Sequence, residues 1–232
     1  IFTCVGNDDD LRQVVAGPQG IFASAQPGSV IVDHTTTSAI VARELAAAAQ
    51  QHGLYFLDAP VSGGQAGAQK GTLTVMVGGD AAAYAKAEPV IRGFAASIKL
   101  IGPAGYGQLT KMVNQICIAG VVQGLSEGIH FAQQAGLDVA AVMEVISKGA
   151  ASSWQMQNRW QTMVNGEFNF GFAVDWMRKD LGIAISEGET VGLDLRLTRL
   201  IAKWQDALIA AGYGDEDSSA LGRIGRGDVT PD

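Results

Sequence analysis

Lys111, Asn114 and Gln115 stand three and four residues apart in GQLTKMVNQICIAG, residues 107–120, so on a helix they project from one face. A lysine can give or take a proton. Two amides beside it cannot titrate, and the trio forms a polar cluster within an apolar element. Leu109, Met112, Val113, Ile116 and Cys117 cover most of the remaining surface of that segment, which predicts a helix that is buried. A lysine near a helix end can also run its ammonium out to water along its apolar stem, and this segment by itself leaves both readings open.

Three further segments carry residue types that could bind or react. DAPVSGG, residues 58–64, sets Ser62 beside Gly63 and Gly64 directly after a strand-like run. A hydroxyl next to two residues without Cβ lets backbone N–H groups turn toward one point and cradle an anion such as a carboxylate, although a plain glycine turn has the same composition. VDHTTTSA, residues 32–39, closes a strand at Asp33 and opens a helix, so its threonines and serine are also candidate N-caps. FNFGFAVDWMRKDLGIA, residues 168–184, brings Phe172, Arg178, Lys179 and Asp180 to the start of a helix, where a solvated basic turn is the simplest account. His34, His52 and His130 lie at no metal-ligand spacing with each other or with a cysteine, and no metal site is expected. Gly105-Tyr106-Gly107 follows a strand and opens a helix as a phosphate-binding turn does. The third glycine position is Thr110, however, and no dinucleotide fingerprint is present.

The elements that must position these residues fall into two halves. IFTCV, SVIVD, LYFLDAPV, TLTVMVGG and SIKLIG read as five strands up to about residue 102, with helices in SAIVARELAAAAQQHG and DAAAYAKAEPVIRGF between them. Alternation of this kind predicts an α/β, Rossmann-type, doubly wound and largely parallel sheet, with TLTVMVGG free to pair differently. Gly53 is placed as a helix C-cap. From about 107 to 135 a single unbroken helical pattern follows, long enough to be a spine, and then four more helical segments without strands. The expected domains are 1–104, the C-terminal portion of a dinucleotide-binding domain, and 105–232, an all-α substrate and dimerisation domain. The polar run GDEDSSALGRIGRGDVTPD at the end is expected to fray. IFTCVGN has no initiator Met and starts inside a β-rich run, so a preceding segment is expected.

Composition narrows the partners. The 232 residues carry 16 basic and 23 acidic side chains, a formal net charge of −7, with no basic run, which argues against nucleic acid. No apolar stretch reaches the ~18 residues of a membrane span. Cys4 and Cys117 sit among apolar residues and read as packed free thiols of a reducing, cytoplasmic compartment.

FTCVGN, VDHTTTSA, DAPVSGGQAGAQKGTLTVMVGGD, GPAGYGQLTKMVNQ and RKDLGIA, in this order and separation, resemble the β-hydroxyacid dehydrogenase family, which includes 3-hydroxyisobutyrate dehydrogenases and tartronate-semialdehyde and glyoxylate/succinic-semialdehyde reductases. The resemblance covers essentially the whole chain. It implies hydride transfer between NAD or NADP and a small β-hydroxy acid or its semialdehyde, in a homodimer or homotetramer. By the same resemblance Lys111 is the catalytic lysine, Ser62, Gly63 and Gly64 form the substrate-carboxylate loop, and Asn114 and Gln115 contact substrate. Many members have two asparagines there, so Gln115 is a departure. Val5, Gly6 and Thr36 correspond to positions against the nicotinamide end of the cofactor, Lys179 to a cofactor contact, and Phe172 and Asp180 to substrate contacts. The glycine-rich loop that would choose NAD or NADP has no counterpart here. Burial would draw the lysine pKa toward neutrality, which would allow proton exchange at physiological pH. Imine reductases, which generally lack the lysine, and non-catalytic dehydrogenase-like interaction domains are the competing readings.

Overall fold

The structure is a computed structural model that describes residues 1–231. It divides into two compact units, Ile1–Asn114 and Gln115–Asp232.

The first unit is a mixed α/β sheet. Its strands are β1 (Phe2–Thr3), β2 (Val30–Asp33), β3 (Tyr55–Asp58), β4 (Val61–Ser62), β5 (Leu73–Gly79) and β6 (Ala95–Gly102). β1, β2 and β3 run parallel, with Val32 opposite Leu57 and Asp33 opposite Asp58. The segment LYFLDAPV, expected as one strand, is two. Pro60 has no N–H for a ladder, and the chain bends there between β3 and β4. Both pieces pair antiparallel with β5, and β6 pairs parallel with the other side of β5. TLTVMVGG therefore does pair differently from the strands before it.

Helices α1 (Asp8–Ala16), α2 (Ala39–Gln51), α3 (Gly64–Lys70) and α4 (Ala81–Ile91) connect the strands. α2 ends as the sequence predicts: Gly53 has φ +68°, its N–H donates to Gln50 O at 3.0 Å, and the Leu54 N–H donates to Ala49 O at 2.8 Å. α1 and α3 were not expected. The first is DDDLRQVVA, whose charged opening hides the two inward residues Leu11 and Val15, and the second is too rich in glycine and glutamine to show a period. Val32, Leu57, Val75, Val77 and Ile91 fill one core of this unit, and Leu11, Ile31, Val41, Leu45 and Phe56 fill the other.

α5 (Tyr106–Gln134) is the expected long helix. The second unit adds α6 (Val139–Ile146), α7 (Trp154–Asn165), α8 (Val174–Thr190), α9 (Arg196–Ala210) and α10 (Gly222–Gly225), packed on a core that includes Val122, Ile129, Met163, Met177, Leu181, Ile201 and Leu208. The expected fraying of the C-terminal run is wrong. Ser218 to Gly222 are buried, because Asp217 accepts from the N–H and hydroxyl of Ser219 and Arg223 lies between the rings of Phe168 and Tyr213 while bonding Glu216. Asp232, the last residue of that run, lies outside the described residues. Among the described residues no helix is long and apolar enough to cross a membrane.

Candidate active site

The expectation that α5 hides its apolar surface holds at Met112, 6% exposed, and fails at Val113 and Cys117. Gln108, Lys111 and Gln115 are buried, at 0%, 6% and 1% exposure, while Val113 is 61% exposed and Cys117 is also exposed. Cys4 is exposed too, so neither cysteine is packed as the flanking residues suggested. A helix that turns amides and an amine inward must meet partners there, because each such group loses water on burial.

In the first unit those partners are largely main-chain atoms. Lys111 Nζ donates to Val61 O at 2.8 Å, which brings the amine to β4, one residue from Ser62. Ser62 is half-buried, and Gly63 (φ +124°) and Gly64 (φ +58°) follow with conformations that residues with a Cβ rarely adopt. Asn114 is half-buried one turn beyond Lys111. The loop after β1 holds Val5 and Gly6, and the Val5 N–H donates to Thr35 Oγ1 at 2.9 Å. Thr36, half-buried, lies in the loop after β2.

In the second unit side chains pair with side chains. Gln115 Nε2 donates to Asp180 Oδ2 at 2.7 Å and contacts Met177 Sδ at 3.4 Å. Lys179 Nζ stands 3.3 Å from Asp180 Oδ1. Phe172 packs on the helical core, and its carbonyl accepts from the Ser218 N–H at 2.8 Å, so this position is held as a structural one as well. The departure at Gln115 thus has a local use: its longer amide reaches Asp180.

Sequence reasoning passed over three buried residues that organise the first unit. Asp58 closes β3 and accepts from the N–H groups of Gly105 at 2.8 Å and Gln108 at 2.9 Å, so it satisfies the first turn of α5. Asp33 closes β2 and accepts from Thr3 Oγ1 at 2.8 Å and Thr35 Oγ1 at 2.7 Å. Burial pushes both carboxyls up to about 6, against the opposing pull of these hydrogen bonds. Gln108 joins α5 to the loop after β2 through Thr35 and Thr37. A polar residue at the last position of two adjacent apolar strands was the available signal.

Gly107 of GYG, and Gly78 opposite it in β5, also find a reason other than phosphate. A Cβ on Gly107 would stand 2.4 Å from Asp58 O and 2.5 Å from Met76 O, and one on Gly78 would stand 2.6 Å from Asp58 Oδ1. Helix and sheet touch there through bare backbone.

The carboxyl ends of parallel strands are where ligands bind in sheets of this kind. At this edge the N-termini of α1 and α2 are capped by side chains, Asn7 and Ser38. α1 opens with Asp8, Asp9 and Asp10, and Asp8 accepts from the Ser38 N–H at the start of α2 at 2.9 Å. Val5, Gly6 and Thr36, the positions expected against nicotinamide, lie in the loops that follow β1 and β2 at this edge. His34 Nδ1 donates to Ala59 O at 2.6 Å, and burial lowers its pKa.

The chain is similar to proteins of known family. Residues 1–102 match the NAD-binding domain of 6-phosphogluconate dehydrogenase, and residues 105–224 match the NAD-binding family of NADP-dependent 3-hydroxyisobutyrate dehydrogenase. An oxidoreductase of Shewanella frigidimarina is 58% identical over 221 residues, 95% of this chain and 76% of that protein. The 2-hydroxy-3-oxopropionate reductase of Escherichia coli is 34% identical over 95% of this chain and 76% of its own length. The crystal structure of 3-hydroxyisobutyrate dehydrogenase from Salmonella typhimurium superposes with a TM-score of 0.85 at 33% identity, over 96% of this chain and 78% of that one.

Proposed function

The chain belongs to the β-hydroxyacid dehydrogenase family of nicotinamide-dependent oxidoreductases acting on hydroxy acids, and on that premise we propose that it moves a hydride between NAD or NADP and a small β-hydroxy acid or its semialdehyde, with Lys111 as general acid/base. The observation that carries this reading is the burial of Lys111 with Nζ on Val61 O, beside Ser62 and the two positive-φ glycines. Nicotinamide, when bound against Val5, Gly6 and Thr36, supplies the hydride acceptor or donor.

The protein's own groups do the rest. Ser62 and the N–H groups of Gly63 and Gly64 hold the substrate carboxylate. Asn114 and Gln115 hold the reacting oxygen in register, with Gln115 steadied by Asp180. In the oxidative direction a neutral Lys111 amine takes the hydroxyl proton as the carbonyl forms, and the ammonium returns it in reduction. Lys179 contacts the cofactor, and Phe172 and Asp180 line the substrate side. Domain roles follow the same division: residues 1–104 belong to cofactor binding and 105–232 to substrate binding and dimerisation, in a cytoplasmic protein.

The homo-oligomeric part of the proposal draws on exposed apolar side chains in the helical half. Val121 and Phe131 on α5 and Leu197 and Leu200 on α9 are 38%, 72%, 57% and 44% exposed, which is what a face covered by another copy looks like in a single chain.

Lys111→Met tests the proposal. Turnover of small hydroxy acids and semialdehydes should fall by ~10²-fold or more while cofactor affinity stays within about threefold. Turnover within a few-fold of the parent would remove Lys111 from the mechanism. A preference for cyclic imines over every hydroxy acid in the same panel would favour the imine-reductase reading.

A further inference from the structure

Gln108 is fully buried at 0% exposure in the first turn of α5, and every polar part of it is engaged. Its Nε2 donates to Thr35 O at 2.7 Å and its Oε1 accepts from the Thr37 N–H at 3.1 Å. Its own N–H donates to Asp58 Oδ2 at 2.9 Å. The amide orientation is fixed by its partners, since a carbonyl can only accept and an N–H can only donate. Gln108 therefore bridges the residues on either side of Thr36 to the carboxyl end of β3, and Lys111 follows three residues later on the same helical face.

From this geometry we infer that Gln108 is a positioning residue of the hydride-transfer reaction. It ties the loop carrying Thr36 to the helix carrying Lys111, so that the nicotinamide side and the proton-transfer side of the site form one body. The inference rests on the proposed roles of Lys111 and Thr36. A methionine at 108 would fill nearly the same volume but release both the Thr35 carbonyl and the Thr37 N–H. The two halves could then drift, and a displacement of ~1 Å is worth on the order of 10²-fold in rate.

The test compares Gln108→Met and Gln108→Glu, each in the parent enzyme and in Lys111→Met. Read-outs are kcat and KM for the hydroxy acid, cofactor affinity by titration, and amide hydrogen exchange at Thr37 without substrate. Gln108→Met should lower kcat by about 10- to 100-fold with KM within about threefold, speed exchange at Thr37, and add little further loss once Lys111 is Met. Gln108→Glu, whose carboxylate can accept from Thr37 but not donate to Thr35, should be slow at high pH. Relative to the parent it should recover as pH falls, because only the protonated acid restores both hydrogen bonds; burial and Asp58 both favour that form.

A kcat for Gln108→Met within twofold of the parent overturns the inference, whatever its unfolding temperature, and so does an undiminished loss in the Lys111→Met background. Should Gln108→Met fail to fold, Gln108→Glu decides the matter: a constant ratio to the parent across pH overturns the inference. Near-normal turnover in Lys111→Met alone overturns the lysine reading and this inference with it. A normal Gln108→Met beside a crippled Lys111→Met overturns this inference only.

Discussion

The two compact units grip their candidate site residues by different means. In the first, Asp58, Gln108 and Lys111 are held by main-chain groups of Gly105, Gln108, Thr35, Thr37 and Val61. In the second, Gln115, Lys179 and Asp180 hold one another. A side chain bonded to the main chain is positioned by the chain's path and cannot be retuned without moving that path. A pair of side chains can be exchanged at local cost. The first unit should therefore tolerate substitution around its site much less than the second.

The largest expected effect is that of Gly107→Ala. The added Cβ would meet two carbonyl oxygens, Asp58 O at 2.4 Å and Met76 O at 2.5 Å, and neither can rotate away as a side-chain end could. A loss of about 3 kcal/mol or more is expected in urea unfolding, since helix and sheet must separate. An unfolding midpoint near that of the parent would show that this approach is soft.

Next come two alanine substitutions of buried acids, one from each unit. Asp58→Ala leaves the N–H groups of Gly105 and Gln108 without their acceptor inside the protein, at a cost of about 2–4 kcal/mol. Asp180→Ala should cost about half as much, because Lys179 is 24% exposed and can turn to water, and Gln115 retains Met177 Sδ at 3.4 Å. Equal losses in urea unfolding would remove the distinction between backbone-held and side-chain-held sites.

How much of this was legible in the sequence follows the same division. The strands, α2, the Gly53 cap and the long helix were readable because apolar period and capping chemistry are local signals. Lys111, Asn114 and Gln115 were readable as one face of that helix. Which face turns inward was not, since Val113 and Cys117 look like core residues and are exposed. The roles of Asp58 and Gln108 rest on contacts 50 and 73 residues away along the chain, and no local pattern announces them. The buried C-terminal run was missed for the same reason. Its polar residues satisfy one another and Arg223 only once folded.

The first unit should show a pH dependence. Asp33 and Asp58 are both raised from 3.8 to about 6, chiefly by burial. With the folded-state value above the unfolded one, the native state holds the proton more tightly. The stabilisation is complete below about pH 4 and is lost as pH rises through about 6. Each carboxyl contributes on the order of 2 kcal/mol across that window. Asp33→Asn should flatten part of the slope. Native-state amide exchange should show the weakening from pH 4 to 6 in β2 and β3. A parent and an Asp33→Asn variant with the same slope would show that this carboxyl titrates normally.

The smallest expected effect comes from repeating the glycine test on the same helix. Gly124 lies in α5 within the second unit, and a Cβ there meets nothing within 4 Å. Gly124→Ala should be neutral or stabilising by up to ~1 kcal/mol, because alanine loses less backbone freedom in a helix interior. That outcome holds for an isolated chain. If α5 meets another copy through its exposed apolar residues, an added methyl group at 124 can disturb the close approach that a glycine permits. Urea unfolding at two protein concentrations separates the cases. A gain that is independent of concentration leaves Gly124 facing solvent, and the same substitution then differs in sign between the two units along a single helix. A loss that grows at higher concentration places Gly124 in the interface and makes the second unit as exacting as the first, with the demand coming from a partner chain instead of the sheet.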